Sequence, residues 1–315
     1  MSAPDAVAVV IPVRDMAWCV ARAIQSALRQ THPPSEVIVV DDGSADDTSA
    51  VVERMTRSDP RVRGLRLPGS RGHLAALGEG LRASAAEWRV LLDADDELTA
   101  DSIARRLEAA ARWRAATGEW PQLVYGDLYR NSVASDALMR FKRFEGRAFG
   151  FLTRELSLCP TSAIMLGREA SRRLLALATP SSYNTDDEIV LAVGREFPVV
   201  HAGAPVGIAH DHASPTRMSN DPRRRLTGLS ELVRNHRAEI LREHGRSRLL
   251  LWRLRILRAA LEWQYEQAER RGQATARGGV AGWARRPLRL YGRVTRLAHR
   301  RLTAFLSPRF EQMYF

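Results

Sequence analysis

The chain is short of cysteine, of long uncharged apolar stretches and, towards its end, of acidic residues. Each shortage excludes something. Two cysteines in 315 residues, Cys19 and Cys159, stand in ordinary helical or apolar surroundings. They give neither a metal-ligand spacing nor a disulfide framework and read as packing residues. No apolar run approaches the roughly 18–20 uncharged residues that a membrane-spanning helix needs. Met1–Arg14 lacks the basic start and apolar stretch of a signal peptide, so the cytoplasm is the expected location. From Gly245 onward 16 Arg face only 4 Glu, which accounts for the whole chain's formal net charge of +12. Residues 1–244 are therefore neutral, offer no basic groove, and show no helix-turn-helix or zinc spacing, which argues against nucleic acid as a partner.

What is present is a core-forming composition, 45% hydrophobic, arranged in alternating periods. Ala6–Val13 is a β-branched run that reads as a buried strand ending at Pro12. Asp15 is placed to cap a helix with Val20, Ile24, Ala27 and Leu28 on one side. Val37–Val40 reads as a second buried strand running into Asp41-Asp42-Gly43-Ser44, where Ser44 and Asp47 suit a capping arrangement for the helix carrying Val51, Val52 and Met55. Arg63–Leu67 alternates as a third strand, and a helix through Leu74, Leu77 and Leu81 leads to the strand Trp88–Leu92. This β-α-β-α-β-α-β series with purely apolar strands predicts an α/β fold, a parallel sheet covered by helices on both faces. Later signals are weaker: a helix from Thr99 or Asp101 to Trp113, a short strand Leu123–Tyr125, a strand at Ser162–Leu166, helices at Glu169–Ala178 and Ile189–Arg195, and strands at Val199–His201 and Val206–His210.

The segment Val90–Glu97, VLLDADDE, ends an apolar strand in three carboxylates. An extended chain repeats every two residues, so Asp93 and Asp95 are expected on one side, able to grip one hard cation or the hydroxyls of one sugar. The plainer alternative is a strand entering an acidic turn and a helix start. Position favours a site, because ligands of such sheets bind at the carboxyl ends of strands, where Pro12, Asp41-Asp42 and Asp93-Asp95 all fall.

Together VAVVIPVRD, SALRQTHPPSEVIVVDDGSADDT, GSRGHLAALGEGLRASAAEWRVLLDADD, VYGD, TDDE and HDHAS resemble a family 2 glycosyltransferase of the GT-A fold over roughly residues 6–217. The resemblance implies a Rossmann-like, mostly parallel sheet flanked by helices: residues 1–217 as the catalytic domain, with a nucleotide-binding half (1–100) and an acceptor-binding half (101–217), and 218–315 as a basic helical extension. It implies transfer of a sugar from a nucleotide-diphosphate sugar, UDP- or dTDP-linked before GDP-linked, to an acceptor hydroxyl, with inversion and with Mn²⁺ or Mg²⁺. By that resemblance Pro12, Val13 and Arg14 lie at the base, and Asp42 accepts from a ring N–H. Asp93 faces the ribose, Ala94 lies between the paired acids, and Asp95 holds the metal with His210 or His212. Asp186 is the general base, with Asp187 in reserve; the competing reading of Asp186, Asp187 and Glu188 is an ordinary helix start.

The chain also departs from the family. Arg14-Asp15 stands in place of the usual Tyr-Asn, Leu77-Gly78 in place of Arg-Asn, and Thr185 in place of the acid before Asp186. A positive charge near the phosphates must therefore come from elsewhere, and Arg71 is the candidate. No QxxRW stretch is present, which favours a single transfer over processive synthesis. Two rival readings stand: a nucleotidyltransferase making the activated sugar, although IPVRDMAW lacks the glycines of its phosphate loop, and a non-catalytic nucleotide-sugar-binding scaffold. In the tail, Leu249–Ala268 reads as an amphipathic helix that packs on the catalytic domain or on a second copy. Beyond Gly278-Gly279, Arg286, Arg289, Arg293, Arg296 and Arg300 form one stripe at helical spacing. That stripe, within 286–305, suits an anionic membrane surface at the inner face and a lipid-linked acceptor; a solvated helix face or an acidic partner are the competing readings.

Overall fold

Val7–Val13 is apolar at every position and buried at every position, because this strand, β1, is hydrogen-bonded on both edges inside a sheet. The strand runs one residue past Pro12, so the proline sits within it rather than ending it. The computed structural model describes residues 6–131, 136–147, 159–177, 185–212, 222–238 and 240–242. Both stretches of the basic tail singled out above, Leu249–Ala268 and 286–305, lie outside them.

Helix α1 (Val20–Leu28) leads from β1 to β2 (Glu36–Asp41), α2 (Thr48–Ser58) to β3 (Val62–Arg66), and α3 (His73–Ala83) to β4 (Trp88–Leu91). β3, β2, β1 and β4 pair in that order, all in parallel, as the alternating pattern predicts. Successive residues of β2 serve opposite faces. Val37 and Val39 join the main core, whereas Ile38 and Val40 pack with Ala76 of α3. Each such side chain, once fully buried, contributes on the order of 1.5–3 kcal/mol relative to exposure.

Beyond β4 come β5 (Glu97–Leu98), α4 (Ser102–Thr117), β6 (Leu123–Asn131), β7 (Asp136–Met139), β8 (Gly146–Arg147), β9 (Ile164–Gly167), α5 (Arg168–Leu175), α6 (Thr185–Gly194), β10 (Pro198–His210) and α7 (Pro222–Asn235). β9 slots antiparallel between β4 and β6, and β10 runs parallel to β6. The sheet is thus mostly parallel on one side and mixed on the other. Two expected strands, Val199–His201 and Val206–His210, are one strand whose register shifts twice around Pro205. The short strand expected at Leu123–Tyr125 continues to Asn131. Leu232 and Val233 of α7, with Ile240 beyond it, are buried in the main core. Among the described residues no helix is long and apolar enough to cross a membrane.

Two expected caps are absent. Asp15 adopts a left-handed φ of 52° and turns its carboxylate to the amide of Ala45 (2.7 Å), away from α1. Ser44 accepts the Asp15 amide (2.9 Å), and it is Asp46 that takes the amide of Thr48 at the start of α2 (3.0 Å). Both side chains lock the loops after β1 and β2 to each other, which fixes the rim of the sheet.

Candidate active site

The carboxyl ends of β1, β2 and β4 lie side by side, because β1 pairs in parallel with both of the others. Loops that follow residues 13, 41 and 91 therefore share the rim where open α/β sheets hold ligands. The acidic stretch itself is not extended. β4 ends at Leu91, and Asp93–Asp96 is a turn closed by the Asp96 amide on the Asp93 carbonyl (3.1 Å). The two-residue repeat expected to align Asp93 with Asp95 is replaced by a turn that gives each acid its own partner.

Asp93 Oδ1 meets His73 Nε2 at 2.9 Å, and Asp95 Oδ2 meets His212 Nε2 at 2.7 Å. Asp96 points inward, accepting the Ser162 hydroxyl (2.6 Å) and the His210 amide (3.2 Å). Burial pushes the Asp96 carboxyl up to about 8, and the charges of Asp93 and Asp95 add to the rise. Three crowded acids thus avoid three full charges. The Ser162 oxygen also accepts the Asp93 amide (3.1 Å), while its carbonyl takes the guanidinium of Arg106 (2.9 Å), which is wholly buried. Burial lowers Arg106 to about 9.

Thr185 and Asp186 open α6, and His73 reaches the first of them: its Nδ1 lies 3.2 Å from Thr185 Oγ1. Burial pulls the His73 imidazole down, but its bond to Asp93 and the charges of Asp93, Asp186 and Asp95 carry it above its ordinary value. Asp186 is raised too, by burial and then by the Asp93 charge, against the Asp187 amide that it accepts (3.0 Å). Asp93 and Asp186, 93 residues apart in sequence, are therefore close enough for their charges to act on each other. Glu188, one turn along, is buried against His236 (3.1 Å).

The two late histidines separate. His210 Nε2 lies on Glu97 (2.8 Å), which also pairs with Arg22 (3.2 Å), whereas His212 lies on Asp95. Arg22 further donates to the Asp95 carbonyl (2.9 Å), and the exposed ring of Trp18 meets the His212 ring edge-on at 5.0 Å between centroids. At the nucleotide end, Asp42 is buried and grips the loop before α3: Oδ1 accepts the Arg71 amide (2.7 Å), and Oδ2 the Ser70 hydroxyl (2.7 Å) and the Gly72 amide (3.0 Å). The Arg71 guanidinium pairs outward with Glu79 (2.8 Å), and exposed Arg14 pairs with Asp15 (3.3 Å). Pro12, Val13 and Ala94 are buried at the rim.

His73, Ser162, Arg22, Glu97 and Trp18 went unmarked by sequence reasoning. A histidine at the first position of a helix and a serine in an apolar run carry no local signal of their partners. Among the described residues no three His, Cys, Asp or Glu side chains converge as a ready-made metal cage. Asp95 with His212 nevertheless fits a divalent cation that takes its remaining ligands from a diphosphate, as Mg²⁺ commonly does.

Similarity to known proteins is consistent with this geometry. Over 107 residues, 34% of this chain and 30% of the relative, the sequence is 41% identical to the succinoglycan biosynthesis protein ExoO of Rhizobium meliloti (strain 1021). Over 199 residues, 61% of each protein, it is 28% identical to the undecaprenyl-phosphate 4-deoxy-4-formamido-L-arabinose transferase of Pectobacterium carotovorum subsp. carotovorum (strain PC1). The chain thus spans between about a third and two thirds of the length of these curated relatives. In fold it is similar to S. aureus TarS 1-349 in complex with UDP-GlcNAc (TM-score 0.55, 14% identity, 81% of each chain). It is likewise similar to the mannosyltransferase PcManGT of Pyrobaculum calidifontis in complex with GDP-Man and Mn²⁺ (TM-score 0.52, 18% identity, 92% of this chain and 80% of that one). The fold is that of the GT-A glycosyltransferases. Residues 8–175, more than half of the chain, match glycosyl transferase family 2, and the chain belongs to that family.

Proposed function

We propose that the protein transfers one sugar from a nucleotide-diphosphate sugar to an acceptor hydroxyl, with inversion at the anomeric carbon and with a divalent metal. The observation that carries this reading is that His73 joins Asp93 of the acidic turn, which also carries Asp95, to Thr185 at the start of α6, next to Asp186, at the carboxyl rim. An ionised carboxylate offers about four acceptor positions, and Asp42 uses three on the 70–72 loop, which leaves one for the ring N–H of a uracil or thymine. Asp93 holds the ribose. Asp95 and His212 are the residues that would hold Mn²⁺ or Mg²⁺, which when bound supplies positive charge to the departing diphosphate. Asp186 takes the proton of the attacking hydroxyl, whose oxygen then bonds the anomeric carbon as the bond to the diphosphate breaks. Its upward shift suits that role, since a base works best with a pKa near the operating pH. Titratable groups with displaced values gathered at one rim of the sheet favour catalysis over a decayed scaffold. The acceptor is read as carried on a lipid or a polysaccharide, in keeping with the relatives' names.

A panel of nucleotide sugars, each with and without Mn²⁺, tests the donor class by thermal stabilisation. A ligand at 100 times its Kd adds about 2.7 kcal/mol, so the true donor stands out. Asp95→Asn is expected to abolish the Mn²⁺-dependent part of that stabilisation and sugar transfer together. Absence of stabilisation by every nucleotide sugar would falsify the reading; a stabilised but inactive parent protein would favour the binding scaffold.

A further inference from the structure

His73 stands at a junction of three separate segments. It is the first residue of α3, immediately after the loop that Asp42 grips, and its side chain is 18% exposed. Both ring nitrogens are engaged: Nε2 on Asp93 of the acidic turn at 2.9 Å, and Nδ1 on Thr185, the first residue of α6, at 3.2 Å. An imidazole is rigid, so two bonds from opposite corners of one ring fix the distance between their partners. Thr185 immediately precedes Asp186, whose position is set by the start of α6. The stretch of α3 one turn further on offers Leu77, fully buried, and contributes no charge. The only α3 side chain that hydrogen-bonds across to both the acidic turn and α6, among the described residues, is that of His73.

We infer that His73 is a positioning residue, a strut that holds the base-bearing start of α6 at a fixed setting over the donor carboxylate Asp93. The inference rests on the proposed sugar-transfer reading for its kinetic consequence, but its structural part stands apart from it. Thr185, a departure from the acid of the family pattern, is on this account the strut's far anchor: a hydroxyl both accepts and donates and so suits either state of the ring. A group that acts only by holding base and donor in register affects turnover more than donor affinity, because misplacing a catalytic group by ~1 Å costs on the order of 100-fold.

His73→Ala is therefore expected to lower kcat by roughly 30- to 100-fold while the donor KM changes by less than about threefold. His73→Gln, whose amide spans the same two partners, restores most of the turnover. Thr185→Val gives a comparable loss, and the double variant His73→Ala/Thr185→Val is no worse than the poorer single one, because either change alone removes the strut. Hydrogen exchange gives a readout that needs no activity. The amides of Ile189 and Val190 bond to the carbonyls of Thr185 and Asp186, and in His73→Ala they are expected to exchange about tenfold faster while strands β1 and β4 keep their protection. Unchanged exchange at Ile189 and Val190, a rise in KM at constant kcat, or losses that multiply in the double variant overturn the strut. A parent protein that transfers no sugar from any donor overturns the functional reading instead, and the exchange result then decides the strut alone.

Discussion

Ser162 is the smallest group on which the acidic turn depends, and replacing it by alanine isolates that dependence. The hydroxyl is wholly buried, accepts the Asp93 amide at 3.1 Å and donates to Asp96 at 2.6 Å; the carbonyl that holds Arg106 is untouched by the change. One buried and one part-buried polar group lose their partner. Each such loss costs about 1–3 kcal/mol, so Ser162→Ala is expected to destabilise the protein by roughly 2–6 kcal/mol. Against a typical total of about 5–15 kcal/mol that is a large fraction. The Ser162 bond also opposes the burial that raises Asp96, so its removal sends that carboxyl further above about 8. Urea unfolding at pH 7 measures the loss as a shift in midpoint at constant slope. A double-mutant cycle with Asp96→Ala assigns it, because the second change is expected to cost at least ~1 kcal/mol less once the hydroxyl is gone. A shift below about 0.5 kcal/mol, or strict additivity with Asp96→Ala, would refute the view that this hydroxyl organises the turn.

Three further outcomes follow from other parts of the fold. His201 accepts the Gly203 amide at Nδ1 (2.9 Å) and so donates from Nε2 to Asp127 (3.2 Å), and burial holds its imidazole below the ordinary value. The unfolded chain takes up that proton first, near pH 6.5, so this contribution to stability is complete above about pH 6.5 and is lost as pH falls; the stability gap between the parent and His201→Gln is expected to narrow from pH 7.5 to pH 5.5 in urea titrations, and a constant gap removes the argument. A Cβ at Gly80 of α3 would collide with the Val10 side chain and lie 3.2 Å from Val40, so Gly80→Ala is expected to cost about 1–3 kcal/mol of overpacking against a gain of up to ~1 kcal/mol in helix propensity. A thermal midpoint that stays level or rises contradicts that packing. Trp18→Ala leaves the His212 ring without its edge contact, and a fall in metal-dependent stabilisation with no change in the metal-free midpoint is the expected result.

The parallel half of the sheet was legible because its signal is local. Val7–Val13 and Val37–Val40 are short, β-branched and apolar at consecutive positions, the pattern of a strand covered on both faces. The mixed half was harder. β9 is four residues long, and its antiparallel place between β4 and β6 is decided by tertiary pairing that leaves no period in the sequence. At the site, the acids announced themselves by crowding, but the partners that neutralise or brace them did not. His73 lies 20 residues from Asp93 and 112 from Thr185, and Ser162 lies 66 from Asp96. Asp93 and Asp95 do follow the carboxyl end of β4, but the turn at Asp93–Asp96 replaces the two-residue repeat expected to align them.

The grip of Asp42 on residues 70–72 has a consequence for how this protein could diversify. One carboxylate serves as the acceptor nearest the proposed nucleobase and as the anchor of the segment that delivers His73 to the acidic turn. Exchanging it to admit a different base would slacken that segment in the same stroke, so a gain of a new donor is tied at this position to a loss of catalytic register. The Ser70 hydroxyl is the part of this grip that can be altered while the amides of Arg71 and Gly72 still hold the loop.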